Sequence, residues 1–261
     1  MRELERNDLP SPLTTTKLVV AGRGRVGSSL AKAAELAGID VRLVSRDEAI
    51  DGGGAVLLCV PDEAIGEICG RIAENPPTLV GHVSGASTLD VLAAARERGA
   101  STFSLHPLQT FADGETAVAG TPAAVAGSDD AALSFSRSLA EALGMKPFEV
   151  PEEHRAAYHA AAAMASNLLV ALEESAAELA KKIGIEDARE LLAPLVLRTA
   201  ANWAERGPAA LTGPIARGDH ATVERHRAAL AETAPELLPL YDALATRANA
   251  IARESAEEVS A

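Results

Sequence analysis

Between residues 17 and 150 the chain alternates short apolar runs with longer stretches of helical spacing. Leu18 to Ala21, Val41 to Ser45, Ala55 to Val60, Leu79 to Val83 and Thr102 to Leu105 are continuously apolar or rich in β-branched residues. Strands buried on both faces have this composition. Val26 to Ala37 and Leu89 to Arg98 repeat their apolar positions at helical intervals, and Ser87 followed by Asp90 resembles a capping box opening the second of them. Repetition of strand, helix and strand predicts a doubly wound parallel sheet. After Pro151 the strand pattern disappears, and helices are predicted over Glu152 to about Lys182, Glu186 to about Arg206, Asp219 to about Ala231 and Pro235 to the end. The expected organisation is a flexible polar tail over 1–16, an α/β domain over 17–150 and an all-α domain over 151–261.

A length of 261 residues is enough for two compact domains with a buried core. Twenty-four basic residues against 37 acidic ones leave a formal charge of −13, which repels a polyphosphate backbone and argues against a nucleic-acid partner. Cys59 and Cys69 form neither a zinc pattern nor a disulfide framework, so a reducing cytoplasm fits. The tail, with Pro10 and Pro12, lacks the apolar core of a signal peptide. The uncharged run Ala156 to Leu172 is mostly Ala, is interrupted by His159 and Asn167, and falls short of the ~20 strongly apolar residues of a bilayer span. It is expected to be a buried helix of a soluble protein that does not enter a membrane.

The chemistry begins at Gly22-Arg23-Gly24-Arg25-Val26-Gly27, which follows an apolar strand and opens a helix. In that context GxGxxG is a dinucleotide fingerprint: the first Gly permits a tight turn, the second lets the backbone approach a pyrophosphate, and the third lets helix and strand pack closely. The N–H groups and dipole of the helix N-terminus then face the anion. About 20 residues on, an NAD-binding chain places an acidic residue for the ribose; here that position reads Ser45-Arg46. A guanidinium fork suits a 2′-phosphate and Ser45 adds a hydroxyl, so NADPH is expected over NADH, with Asp47 keeping the alternative open. Val60-Pro61-Asp62 ends the next apolar run, where Pro61 stops the ladder beneath the expected cofactor.

Ser84-Gly85-Ala86-Ser87 and Leu105-His106-Pro107-Leu108 follow strands at the carboxyl edge of the predicted sheet. His106 can serve a substrate oxygen as a donor of a hydrogen bond or a proton, or satisfy a loop carbonyl; both readings stand. Tyr158, His159, Ser166 and Asn167 interrupt an Ala-rich helix, with 159 and 166 on one face. Such groups need partners, supplied either by a ligand in a cleft or by neighbouring helices or a second subunit. Thr212 to Asp219 reads as a loop ending at an N-cap, in which Arg217 either clamps a carboxylate or pins the loop to Asp219. His82, His154, His220 and His226 show no metal-ligand spacing, and no metal is expected.

The segments GRGRVGSSLAKA, LLCVPDEAI, HVSGASTLDVL, SLHPLQTF, YHAAAAMASN and LTGPIARGD together resemble a family of Rossmann-like oxidoreductases with a C-terminal helical domain of unknown function. Its wider relatives are ketopantoate reductase, prephenate dehydrogenase, pyrroline-5-carboxylate reductase and 6-phosphogluconate dehydrogenase. The resemblance implies a Rossmann sheet followed by a helical domain like the C-terminal one of 6-phosphogluconate dehydrogenase, and a homodimer through the Ala-rich helix. His106 and Ser84 match the catalytic His-Pro turn and substrate-side Ser of prephenate dehydrogenases, while Asn167 stands where those enzymes have His. The lysine used by other relatives would fall on Ala163, so their lysine-acid mechanism does not carry over.

The resemblance implies an NADPH-dependent reductase of a small 2-oxo acid, similar to ketopantoate reductase and connected with pantothenate synthesis. His106, His159 and Asn167 are then the catalytic candidates, and Ser84, Tyr158, Thr212 and Arg217 bind a small carboxylate substrate. Two alternatives remain open: a non-catalytic NADP-binding sensor, and a reductase whose second substrate is a cyclic imine or a deazaflavin coenzyme.

Overall fold

The structure is a computed structural model that describes residues 16–45, 47–51, 54–72 and 78–260. The chain divides into two compact units, Met1–Met164 and Ala165–Ala261. The first unit holds β1 (Leu18–Ala21), α1 (Arg25–Leu36), β2 (Val41–Val44), β3 (Ala55–Leu58), α2 (Ile65–Gly70), β4 (Leu79–His82), α3 (Ala93–Arg96), β5 (Ser101–Pro107), β6 (Pro122–Gly127), α4 (Asp130–Ala142) and β7 (Lys146–Glu149). Helix α5 (Arg155–Ala165) begins after Pro151 and lies, apart from its last residue, within this unit. Of the tail expected over 1–16, all but the last residue lies outside the described residues.

Among the described residues seven strands form one sheet in the order β2-β1-β3-β4-β5-β6-β7. β1 to β5 run parallel, as their apolar runs imply, and β1 is buried along its whole length. Successive residues of β1 enter opposite cores. Leu18 and Val20 pack with Leu30, Ala34 and Phe103, while Val19 and Ala21 pack with Ile65, Ile68 and Val80. Gly81 faces Phe103 across β4 and β5; a Cβ there would lie 2.5 Å from the Phe103 ring, so the glycine makes room for it. That ring meets Phe135 of α4 edge to face at 5.2 Å.

Two strands escape the sequence pattern. β6 is antiparallel to β5, pairing Ala124 with His106, and β7 is parallel to β6. Ala123, Ala124 and Val125 are fully buried, so tertiary packing overrides the weak strand preference of an Ala- and Gly-rich segment. β7 carries Pro147 and stands at the sheet edge, where a missing N–H is tolerated.

The helix expected from Leu89 opens as a tight turn over Leu89–Leu92 before α3. Its expected capping box does not form: Thr88 holds the N-cap position without a side-chain bond. Instead the Leu89 N–H donates to the Glu152 carboxylate at 2.7 Å, and the Ser87 N–H turns back to Ser84 Oγ at 3.0 Å. A carboxylate is the stronger acceptor and wins the N–H group.

The second unit is helical: α6 (Asn167–Lys182), α7 (Ala188–Arg206), α8 (Gly213–Ala216), α9 (His220–Thr233) and α10 (Leu238–Ser260). The single helix expected over Glu152 to Lys182 is broken at Ser166, whose φ of −129° and ψ of −80° leave the helical region. Ser and Asn are poor interior helix residues, and the Ser-Asn pair sits at this break. Burial of this segment is also corrected, since Met164 is 67% and Val170 63% exposed in the single chain. Asp219 caps α9 as expected, accepting the Thr222 N–H at 3.0 Å. Arg227 of α9 is forked onto Asp242 of α10 at 2.9 and 3.2 Å. No described helix is long and apolar enough to cross a membrane.

Candidate active site

At the carboxyl end of β1 the chain order reverses between β2 and β3, the position at which open α/β sheets bind ligands. Gly22 leaves the strand at φ +125° and its N–H donates to the Val44 carbonyl at 2.8 Å. A Cβ there would lie 2.2 Å from the Cys59 carbonyl oxygen, and one on Gly27 would lie 1.9 Å from the Gly22 oxygen. Both glycines are therefore required by backbone against backbone. Gly24 differs: its φ of −73° suits any residue, and none of the described residues lies within 4 Å of a Cβ built on it. It is the N-cap of α1, makes no side-chain cap bond, and is followed by a first turn without acidic residues. Free N–H groups at a positive helix end, open space beside Gly24 and close turns at its neighbours fit a dinucleotide pyrophosphate.

The rest of the expected cofactor edge is partly described. Arg23 donates to the Leu43 carbonyl at 3.4 Å and pairs with Glu48 at 3.2 Å, while Arg25 is exposed and Val26 packs against the core. Glu48 also accepts the Ser45 N–H at 2.9 Å, a bond that holds its carboxyl below the usual range. Arg46 lies outside the described residues. Val60 is buried, and Pro61 leads into a tight turn at Asp62–Ala64.

The turn after β4 meets the carboxyl end of β5 at a second cluster, with His106 still within the strand. The Ser84 hydroxyl donates to Asp62 Oδ2 at 2.7 Å and accepts N–H groups from Ala86 and Ser87, so it organises its own turn. His82 braces that turn, Nδ1 accepting the Ser84 N–H at 3.2 Å and Nε2 donating to the Thr88 carbonyl at 3.3 Å. A Cβ on Gly85 would lie 2.7 Å from the His159 ring and 2.8 Å from His106 Nε2; glycine thus lets both imidazoles close on the turn. Their centroids are 6.0 Å apart. Tyr158 Oη lies 2.7 Å from His106 Nδ1. Phenol is the better donor and imidazole nitrogen the better acceptor, so the hydroxyl donates to Nδ1 and the ring proton sits on Nε2.

Burial, with the His159 ring and the Arg155 cation, lowers the His106 pKa to about 4. Near neutrality His106 is a neutral hydrogen-bond donor, which narrows the double role expected for an unperturbed imidazole. His82 is likewise lowered to about 4, chiefly by burial.

Sequence reasoning passed over Arg155, which is completely buried. It donates to the Ser84 carbonyl at 2.6 Å and to Ser104 Oγ at 2.9 Å, and pairs with Glu152 at 3.6 Å. The spacing of Glu152 and Arg155, three apart at a helix start, was the available signal. Asn167 opens α6 and is exposed; Thr212 is the exposed N-cap residue of α8, and Arg217 is the exposed residue that ends it. These three stand on the second unit. Cys59 and Cys69 are buried free thiols, and burial pushes both pKa values up. Among the described residues no group of three His, Cys, Asp or Glu is arranged to hold a metal.

Residues 39–107 match the Rossmann-like domain and residues 121–248 the domain of unknown function DUF2520. The chain joins a Rossmann-like domain to a DUF2520 domain. No curated protein matches the sequence. Among solved structures, a Thermotoga maritima protein is 24% identical with a TM-score of 0.72, over 91% of this chain and 99% of that one. A Bacteroides fragilis protein, provisionally named an NADP oxidoreductase, is 23% identical with a TM-score of 0.70, over 90% and 98%. A reductive aminase from Aspergillus terreus, in complex with NADPH and ethyl levulinate, is 18% identical with a TM-score of 0.67, over 90% and 93%. At these identities the likeness establishes a shared fold.

The two neutral histidines of the Rossmann-like unit tie its stability to pH. Folded, they take up a proton only near pH 4; unfolded, they do so near 6.5. Between those values the unfolded chain binds more protons, so stability falls as pH falls through that window. Each ring contributes on the order of 3 kcal/mol across it. Urea midpoints should drop between pH 7 and 5.5, where most carboxylates stay ionised, and His82→Gln should flatten the dependence. An equal slope in both proteins would remove His82 as a cause.

Proposed function

We propose that the protein is an NADP-dependent oxidoreductase that reduces a small 2-oxo acid, with ketopantoate the first substrate to test. The observation that carries the reading is the open, uncapped N-terminus of α1 at Gly24, framed by Gly22 and Gly27. The backbone of residues 22–27 would hold the pyrophosphate, Ser45 and Arg46 the 2′-phosphate, and the Val60-Pro61 segment the nicotinamide side. Reduced nicotinamide, when bound, supplies a hydride. His106 Nε2–H donates a hydrogen bond to the substrate oxygen and stabilises the charge that develops there. His159, against the same Gly85 turn, delivers the proton that completes the alcohol. Asn167, Thr212 and Arg217 stand on the helical unit, and alanine at each tests whether that unit takes part in binding the substrate carboxylate.

A second reading, reduction of a C=N bond, is favoured by one feature. A neutral His106 is a poor proton source, and an iminium carbon accepts hydride without further protonation. The exposed Met164, Leu168, Val170, Leu195 and Leu197 support a homodimer that covers them.

NADPH and NADH oxidation by the full chain against ketopantoate, other 2-oxo acids, cyclic imines and a deazaflavin tests these readings, with sedimentation reporting the dimer. Turnover of 2-oxo acids with NADPH is expected, and Arg46→Ala should cut the preference for NADPH over NADH tenfold or more. Turnover of imines alone would transfer the function to the second reading. A chain that binds NADPH tightly but reduces nothing would count against both and favour a sensor.

A further inference from the structure

Arg155 is a guanidinium with no exposure, sited at the first turn of α5 and reaching the turn after β4 and the middle of β5. Burying that charge is costly, and its compensation is incomplete. Among the described residues Nε has no hydrogen-bond partner, nor has Glu152 Oε1, and the two side chains form an ion pair at 3.6 Å. A cation kept at this cost is expected to do something that an apolar residue of similar volume would not.

Its two bonds show what it holds. One amino group donates to the Ser84 carbonyl at 2.6 Å, after β4, and the other to Ser104 Oγ at 2.9 Å, on β5 two residues before His106. The residue after the first anchor is Gly85, and a Cβ built on it would run into the rings of His106 and His159. We propose that Arg155 is a positioning residue for His106, a single buried fork that ties the Ser84–Gly85 turn to β5 and so fixes the face the imidazole presents to substrate. The proposal rests on the reading of His106 as the donor to substrate. The groups that act electrostatically on the ring are Asp62 from the turn after β3, His82 from β4, and Arg155 and His159 from α5, with the Tyr158 hydroxyl on Nδ1. Of these, Arg155 and His159 disfavour a proton on His106 and Asp62 favours it.

The imidazole ¹⁵N signals of the full chain, read without nucleotide or substrate, test this independently of activity. In the native protein His106 should remain the neutral Nε2–H tautomer from pH 8 to 5. Arg155→Met, with fold checked by amide spectra, should raise its titration midpoint by about one pH unit, equivalent to a tenfold gain in proton affinity. Arg155→Lys retains the charge but cannot span both acceptors. It should keep the low midpoint yet mix the two tautomers. Should Arg155→Met fail to fold, Ser104→Ala removes one anchor alone and should also mix the tautomers. A native-like Ser104→Ala and Arg155→Lys with His106 unchanged would overturn the proposal. If the tautomer effects appear in a chain that reduces nothing, the reductase reading fails and the positioning role stands.

Discussion

Gly27→Ala should destabilise the sheet unit by about 3 kcal/mol and abolish NADPH binding, whereas Gly24→Ala should weaken binding alone. The added methyl at 27 would lie 1.9 Å from the Gly22 oxygen and 3.1 Å from Cys59 Cβ. Overpacking typically costs about 1–3 kcal/mol, and the obstacle here is backbone at the turn between β1 and α1. For a chain of this size the midpoint should fall by roughly 6–12 °C. At 24 a methyl meets none of the described residues within 4 Å, so the melting temperature should hold within about 1 °C. That methyl would nevertheless stand where a pyrophosphate approaches the α1 N-terminus, and NADPH affinity should fall at least tenfold. Calorimetry and nucleotide titration separate the effects. Wild-type affinity in Gly24→Ala would move the cofactor away from this turn, and an unchanged midpoint in Gly27→Ala would refute the close packing.

His106→Ala should lower kcat by about 10²- to 10³-fold with a smaller change in KM, the loss expected for one donor to a developing oxyanion. Because burial and nearby positive groups lower its pKa to about 4, the active protein should show no His106 ionisation between pH 5.5 and 8. Activity governed by this ring should be flat over that range and change only as pH approaches 4, where Nδ1 takes up a proton and can no longer accept from the Tyr158 hydroxyl. Tyr158→Phe removes the donor to Nδ1 and should cost about tenfold by allowing the other tautomer. A kcat within tenfold of native in His106→Ala would remove His106 from the chemistry. An acid limb near 6.5 that vanishes in His106→Ala would show the ring to be solvated.

Both predictions start from motifs legible in the chain, yet they depend on distances that are not. GxGxxG after an apolar run pointed to a tight turn, and the structure separates two glycines that the fold requires from one that it leaves free. The His-Pro pair pointed to His106, while its neutrality comes first from burial and then from His159 and Arg155, and its tautomer from Tyr158, all more than forty residues away. Ser84 stands out in the sequence after an apolar run, while only the structure shows that its hydroxyl donates to Asp62 and its carbonyl accepts from Arg155. β6 was silent because Ala and Gly carry little strand preference and only burial between β5 and β7 makes that segment extended.

The division follows from range. Periodicity, turn residues and glycine spacing act over a few positions, so the five parallel strands, the helix after the glycine turn, the change to helix beyond Pro151 and the Asp219 cap could be read from the sequence alone. Pairing between β5 and β6, the capture of the Leu89 N–H by Glu152 and the enclosure of Arg155 beside His106 depend on groups distant in sequence. Their energies come from excluding water and matching donors to acceptors across the fold, and only the tertiary structure decides which groups meet.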